Sequence, residues 1–222
     1  MKLNLQKDHW LHFLIALLIV LSYPLSLSHS FYGSDNIVNW LIVGLTISVL
    51  LLLNLPQTWP LYLLPLDLGI CLFTLLKVSK TLALLLSGII LLAWGIRSLD
   101  PTTKLSQVLN VVTWFFLSFS LTILQTRLTS LTILVPLLLP FFIFILYCLL
   151  RHLKLSLVLA TVLIMINSVI GYRYLSVMAL LLTALTILAL VFVSKLPKLA
   201  SILPYTESFL IILLLINGFL SQ

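Results

Sequence analysis

Residues 130–150 have the sequence SLTILVPLLLPFFIFILYCLL, an apolar run without a charged side chain. The hydrocarbon core of a bilayer is about 30 Å thick, and a helix needs about 20 apolar residues to cross it. A strand of a membrane barrel would instead alternate polar and apolar residues. The run therefore predicts a membrane-spanning helix, which satisfies its own backbone hydrogen bonds in lipid.

Comparable runs recur along the whole chain. We predict nine spans, at 10–28, 36–55, 60–77, 80–97, 107–126, 130–150, 155–171, 174–194 and 203–220. Eight spans plus one re-entrant hairpin form the alternative. Short connections, such as residues 57–58, make sequential helices antiparallel neighbours and leave no room for an extramembrane domain. The predicted fold is an all-α polytopic transmembrane helix bundle, with residues 1–222 as a single integral membrane domain.

The composition of the chain also indicates a lipid environment. Apolar residues make up 62% of it and charged residues 8%, against about 45–50% and roughly 25% in soluble domains. The net charge of +7 comes from basic residues that are scattered singly or in pairs, so we exclude nucleic acid as a partner. The partners we expect are the lipid bilayer and other membrane proteins or further copies of the chain.

The basic residues predict an orientation. On the nine-span arrangement, eight lie on the N-terminal side: Lys2, Lys7, Arg97, Lys104, Arg151, Lys154, Lys195 and Lys198. Four lie on the opposite side: Lys77, Lys80, Arg127 and Arg173. Because cytoplasmic loops are enriched in lysine and arginine, we expect a cytoplasmic N-terminus in a cell membrane of the bacterial inner-membrane type.

The first apolar segment has a second interpretation. Lys2 and Lys7 precede it, and Ser26 and Ser28 resemble the small residues at the cleavage site of a signal peptide. We interpret the segment as an uncleaved span, because it is long enough to cross.

A repeat is a further hypothesis about the organisation of the chain. The tight pair of spans at 60–97 resembles in layout the pair at 155–194. Spans 1–4 and 5–8 would then be parallel repeats, with span 9 added.

Asp67 is the clearest candidate for a functional site. It lies in the middle of a predicted span, two residues after Pro65 and two before Gly69. An ionisable side chain at a helix centre costs at least about 2.5–3.5 kcal/mol on insertion scales. Proline and glycine predict a bend or break here, where transporters hold a cation or a proton. The alternative is that residues 60–67 are interfacial and that Asp67 faces headgroup water.

Two other charged residues are weaker candidates. Glu207 falls in the first turn of the last span, where the helix dipole favours a carboxylate, and we interpret it as a cap or a surface partner of Lys195 and Lys198. Arg173 separates two apolar stretches in the sequence GYRY. We predict a turn at residues 171–174 with Arg173 exposed, and the alternative is a buried arginine that contacts an anion.

Amides inside the spans are interpreted mainly as contacts between helices. They include Asn54, Asn110, Gln125, Asn167 and Asn217. Of these polar positions, Asn167 and the neighbouring Ser168 are our candidates for the lining of a polar path.

Familiar catalytic motifs are missing from the sequence. It contains no GxSxG, HExxH, Walker-type glycine loop or acidic pair at i, i+4. His9 and His12 share a helical face without a third metal ligand. Cys71 and Cys148 are interpreted as small buried side chains. We therefore expect no cofactor, no bound metal and no catalytic residue set.

Three functions fit these features. The first is a transporter, channel or permease-type protein or subunit for a small or lipid-like solute, with Asp67 and the Pro65 bend at its core. The second is an accessory or structural subunit of a membrane complex. The third is an intramembrane lipid-modifying enzyme that uses Asp67 or Glu207 as a base. Catalysis needs convergent polar groups around the reacting atom, and the nearly uniform apolar sequence favours the first two.

Overall fold

The computed structural model of the protein describes residues 2–27, 36–54, 60–77, 79–100, 103–126, 130–150, 156–193 and 207–220. The chain forms nine α-helices in these ranges. They are α1 (Lys2–Leu27), α2 (Asn36–Asn54), α3 (Pro60–Lys77), α4 (Lys80–Arg97), α5 (Lys104–Thr126), α6 (Leu131–Leu150), α7 (Ser156–Gly171), α8 (Val177–Val193) and α9 (Glu207–Leu220). The all-α prediction is confirmed, and each helix overlaps one predicted span.

Four helices contain segments that are long and apolar enough to cross a membrane. Within the described ranges these segments are Trp10–Leu27, Lys80–Arg97, Lys104–Ile123 and Leu131–Leu150. Shorter apolar segments lie in α2, α7, α8 and α9. Length and composition are therefore compatible with an integral membrane protein, and the nine crossings stay a prediction.

The chain divides into two compact units. Unit 1 contains residues 1–21 and 30–127, and unit 2 contains residues 22–29 and 128–222. The boundary between the units falls after α5, whereas the repeat hypothesis divides the chain after span 4. The repeat itself stays a hypothesis. Since both units consist of apolar helices, the single membrane domain stays a prediction.

Unit 1 is organised around α2. This helix contacts α3, α4 and α5, and α4 also contacts both α3 and α5. At the C-terminal end of α2, the Leu52 carbonyl accepts a hydrogen bond of 2.8 Å from Nη1 of Arg97, the last residue of α4. A cation at this position also suits the negative end of the α2 dipole.

Unit 2 is a ring of four helices. In chain order α6, α7, α8 and α9 contact one another, and α9 returns to contact α6. The last turn of α1 belongs to the same unit, where the Tyr23 hydroxyl donates to the Ile133 carbonyl at 2.7 Å. Ser26 lies against Gly218 of α9 so closely that a β-carbon on residue 218 would come within 2.8 Å of the Ser26 β-carbon.

A tight turn joins α7 to α8 at the predicted place. The Gly171 carbonyl accepts hydrogen bonds from the backbone nitrogens of Tyr174 (2.9 Å) and Leu175 (2.8 Å), and the Ser176 hydroxyl caps α8. Gly171 is closely packed here: a β-carbon would lie 2.7 Å from a Leu180 methyl and 2.9 Å from a Leu175 methyl, so these two side chains would have to shift to accept it. The predicted turn is therefore confirmed, with its glycine at a closely packed position.

The outward faces of the helices are apolar. In α3 the buried side chains are Asp67, Ile70 and Thr74. The exposed side chains of the same helix include Leu66, Leu68, Leu72, Phe73, Leu75 and Leu76. In α7, likewise, Asn167 is buried while Val169 is exposed. A helix at a water-facing surface has the opposite arrangement, with its charged residues outward.

Candidate functional site

Asp67 lies on the single buried stripe of α3. Its side chain is 0% exposed, and Ile70 and Thr74 follow it at the i+3 and i+7 positions of the same face. The predicted break at Pro65 is wrong, because α3 is continuous from Pro60 to Lys77. Gly69 does not mark a close approach of another helix, since a β-carbon there would meet no atom within 4 Å.

The carboxyl group of Asp67 has no hydrogen-bond partner in the described part of the chain. The Ser48 hydroxyl of α2 faces it, but neither this hydroxyl nor either carboxyl oxygen completes a hydrogen bond. Cys71, one turn further along α3, is close enough to interact electrostatically with the carboxyl. A second α2 hydroxyl, that of Thr46, is also buried without a partner.

The basic residues of α3 and α4 lie at the helix ends. Lys77 and Lys80 are exposed on either side of the connection between α3 and α4. Arg97 lies at the other end of α4 and donates to the Leu52 carbonyl. Asp67 has no ion-pair partner among the described side chains, and burial of an unpaired charge is costly.

The enclosed carboxyl group can therefore act as a binding site for a proton or a cation. Enzymes, in contrast, bring several polar groups to one reacting atom. Within the residues that the structure describes, no second carboxyl or histidine contributes to the electrostatic surroundings of Asp67. The geometry fits ion binding better than acid–base catalysis.

Asn167 and Ser168 do not line a common surface. Asn167 is buried, and its Nδ2 donates to Oγ1 of Thr183 on α8 at 2.7 Å. The Thr183 hydroxyl in turn donates to the Leu180 carbonyl at 3.0 Å. Ser168 lies on the exposed face of α7. The structure therefore places Asn167 as a link between helices and does not bring the two predicted residues together.

Arg173 and Glu207 lie at helix ends. Arg173 is exposed in the turn between α7 and α8, as predicted. Glu207 is half-buried in the first turn of α9, whereas Lys195 and Lys198, its predicted partners, fall outside the described residues. Neither Arg173 nor Glu207 is enclosed in the way that Asp67 is.

Asn217 makes a contact between helices, as predicted, but the sequence did not identify its partner. Pro140 has no backbone N–H, so the carbonyl four residues earlier in α6 loses its helical donor. That carbonyl belongs to Pro136, and Nδ2 of Asn217 on α9 donates to it at 3.2 Å. The spacing of the two prolines is visible in the sequence, but the helix that supplies the replacement donor is not.

Comparison with known proteins finds no matching family model, curated protein or solved structure. No group of three metal-ligating side chains occurs among the residues described. Among the described residues, the local chemistry of Asp67 points most directly to a function.

Proposed function

We propose that this chain is an integral membrane protein of the transporter or permease type, with Asp67 as the group that binds the transported or coupling ion. One observation carries this proposal: a fully buried carboxyl group without a partner lies in a helix whose exposed face is leucine-rich. Ionisable residues inside spans usually mark ion pathways, because their cost in lipid is high.

The outward leucines support the membrane part of the proposal. Exposed apolar surface of this extent marks contact with a membrane or a partner. On the nine-span arrangement the N-terminus is cytoplasmic and the C-terminal end of α9 lies on the other side. Reporter fusions after residue 222 and before residue 1 test this orientation, and reports from the same side would reject nine crossings.

Transport can be measured with the purified protein in liposomes. The probes are a panel of radiolabelled small solutes, comprising monovalent cations, amino acids and sugars, together with a fluorescent phospholipid. We expect at least one probe to move faster than in empty liposomes, and Asp67→Asn to abolish that movement. Equal rates in protein-containing and empty liposomes across the panel would reject transport.

Asp100→Asn is the matched control for this experiment. It makes the same chemical change at an exposed position after the end of α4. We expect it to retain the movement that Asp67→Asn loses. Loss in both variants would remove Asp67 from its proposed role.

A further inference from the structure

The surroundings of Asp67 distinguish between the possible ligands of its carboxyl group. Calcium takes six to eight oxygen ligands, and magnesium requires an octahedral set. Among the described residues, the side chains that interact with the Asp67 carboxyl group are the Ser48 hydroxyl and the Cys71 thiol. These two side chains supply one oxygen ligand, fewer than a magnesium or calcium ion requires.

The enclosure of the carboxyl group leads to the same conclusion. Neither of its oxygens is accessible to solvent, so a metal ion would have to displace side chains from the contact between α2 and α3. A proton occupies no comparable volume and binds to one oxygen. The neutral carboxylic acid is also the form that an apolar enclosure accommodates at the lowest cost.

The helices that pack against α3 supply no competing charge. These helices are α2 and α4. The described part of α2 carries no titratable side chain. In α4 the charged residues are Lys80 and Arg97, at its two ends, and the titratable residues of α3 besides Asp67 are Tyr62, Cys71 and Lys77.

We propose that Asp67 is a proton-binding site: it is a carboxylic acid in the closed arrangement and releases its proton when α2 and α3 separate. The O–H bond of the acid breaks, the electron pair stays on the carboxylate, and the proton passes to water admitted beside Ser48. This inference rests on the proposed function, which makes Asp67 the ion-binding group, and it names the ion.

Infrared spectroscopy of the purified protein in liposomes tests the proposal. A protonated carboxyl group has a carbonyl stretch separate from that of a carboxylate. We expect the wild-type protein to show this band, Asp67→Asn to lose it and Asp100→Asn to keep it. The band should weaken as the pH is raised and should not respond to exchange of sodium for potassium or to added magnesium at fixed pH.

Two results would overturn the proton assignment. One is a wild-type spectrum whose protonated-carboxyl region is unchanged in Asp67→Asn. The other is loss of the band on adding sodium or magnesium at fixed pH, which would make Asp67 a metal-cation site. Asp67→Leu also removes the carboxyl group, so it serves if Asp67→Asn does not fold, and we expect it to lose the band. A band retained in Asp67→Leu would place the protonated carboxyl elsewhere.

The infrared result is independent of the transport measurement. If the infrared band titrates but the protein moves no probe in liposomes, Asp67 is a proton site and the transporter proposal is rejected. If the protein moves a probe but shows no such infrared band, the transporter proposal stands and the proton site is rejected.

Discussion

Units 1 and 2 share a plan but use their buried polar side chains differently. In each unit four consecutive helices contact one another in chain order, and the fourth contacts the first. In unit 2 the buried amides bond to other helices, Asn167 to Thr183 and Asn217 to the Pro136 carbonyl. These bonds link α7 to α8 and α6 to α9, which are neighbours in the ring.

In unit 1 several buried hydroxyl groups bond within their own helices, and others have no partner among the described residues. Thr74 and Thr113, for example, donate to carbonyls four residues earlier. The oxygens of Thr46, Ser48 and Asp67 have no partner in the described residues. Among the described residues, the buried side-chain amides that link neighbouring helices thus lie in unit 2, and the buried carboxyl group without a partner lies in unit 1.

The largest effect should come from removing the charged group of unit 1. Asp67→Leu replaces a costly residue by a favourable one, so we expect the free energy of unfolding to rise by up to about 3 kcal/mol in a bilayer, while transport is lost. Unfolding in increasing concentrations of a denaturing detergent measures the change. Asn167→Leu in unit 2 is the control and should destabilise. A fall in stability for both variants would show that Asp67 is structural.

Gly218 tests close packing in unit 2. Gly218→Ala places a β-carbon against Ser26 and should cost about 1–3 kcal/mol through overpacking. Gly88→Ala in α4 is the matched control, because a β-carbon there meets nothing within 4 Å and should stabilise the helix by about 0.5–1 kcal/mol. Thermal unfolding of the two variants compares them, and equal effects would contradict the described packing.

The link between α9 and α6 can be measured with a double-mutant cycle. Asn217→Leu leaves the Pro136 carbonyl without its donor, and we expect a cost of about 0.6–1.7 kcal/mol, the range for interhelical bonds in membranes. Pro140→Ala restores a backbone N–H that can reach the same carbonyl. In that background Asn217→Leu should cost less, and an unchanged cost would show that proline does not create the need for Asn217.

The smallest effect comes from two isosteric changes. Thr46 and Thr183 are both 0% exposed. Thr183→Val removes the acceptor of the Asn167 bond and should cost about 0.6 kcal/mol. Thr46→Val removes a hydroxyl without a partner and should be neutral or slightly stabilising. Detergent-induced unfolding measures the stability of both variants. A destabilising effect of Thr46→Val would mean that the Thr46 hydroxyl has a partner in the folded state.

The helices were predictable from the sequence because their signal is local. An apolar run between polar connections predicts a helix whatever surrounds it, and α3 has the predicted limits, 60–77. The choice of Asp67 as a candidate site has the same basis, since one charge in an apolar run is visible without a structure.

Contacts between helices were not predictable in this way. That Ser48 faces Asp67 depends on the register of α2 against α3, and hydroxyl residues are common along apolar helices. The break expected at Pro65 did not occur, because this proline falls within the second turn of α3, where few helical bonds precede it. Proline is tolerated near helix starts, so its position within the helix outweighed its usual effect.

The bond from Asn217 to the Pro136 carbonyl has a consequence for biogenesis. If α6 spans the membrane as proposed, it enters the bilayer before α9 is made, with a Pro136 carbonyl for which its own backbone has no donor. An unsatisfied backbone group in hydrocarbon costs several kcal/mol. The Pro136 carbonyl gains its donor only after about 70 more residues have been synthesised, when α9 docks beside α6. Insertion of unit 2 should therefore be cooperative, with α6 stabilised by a helix that the translocon has not yet received.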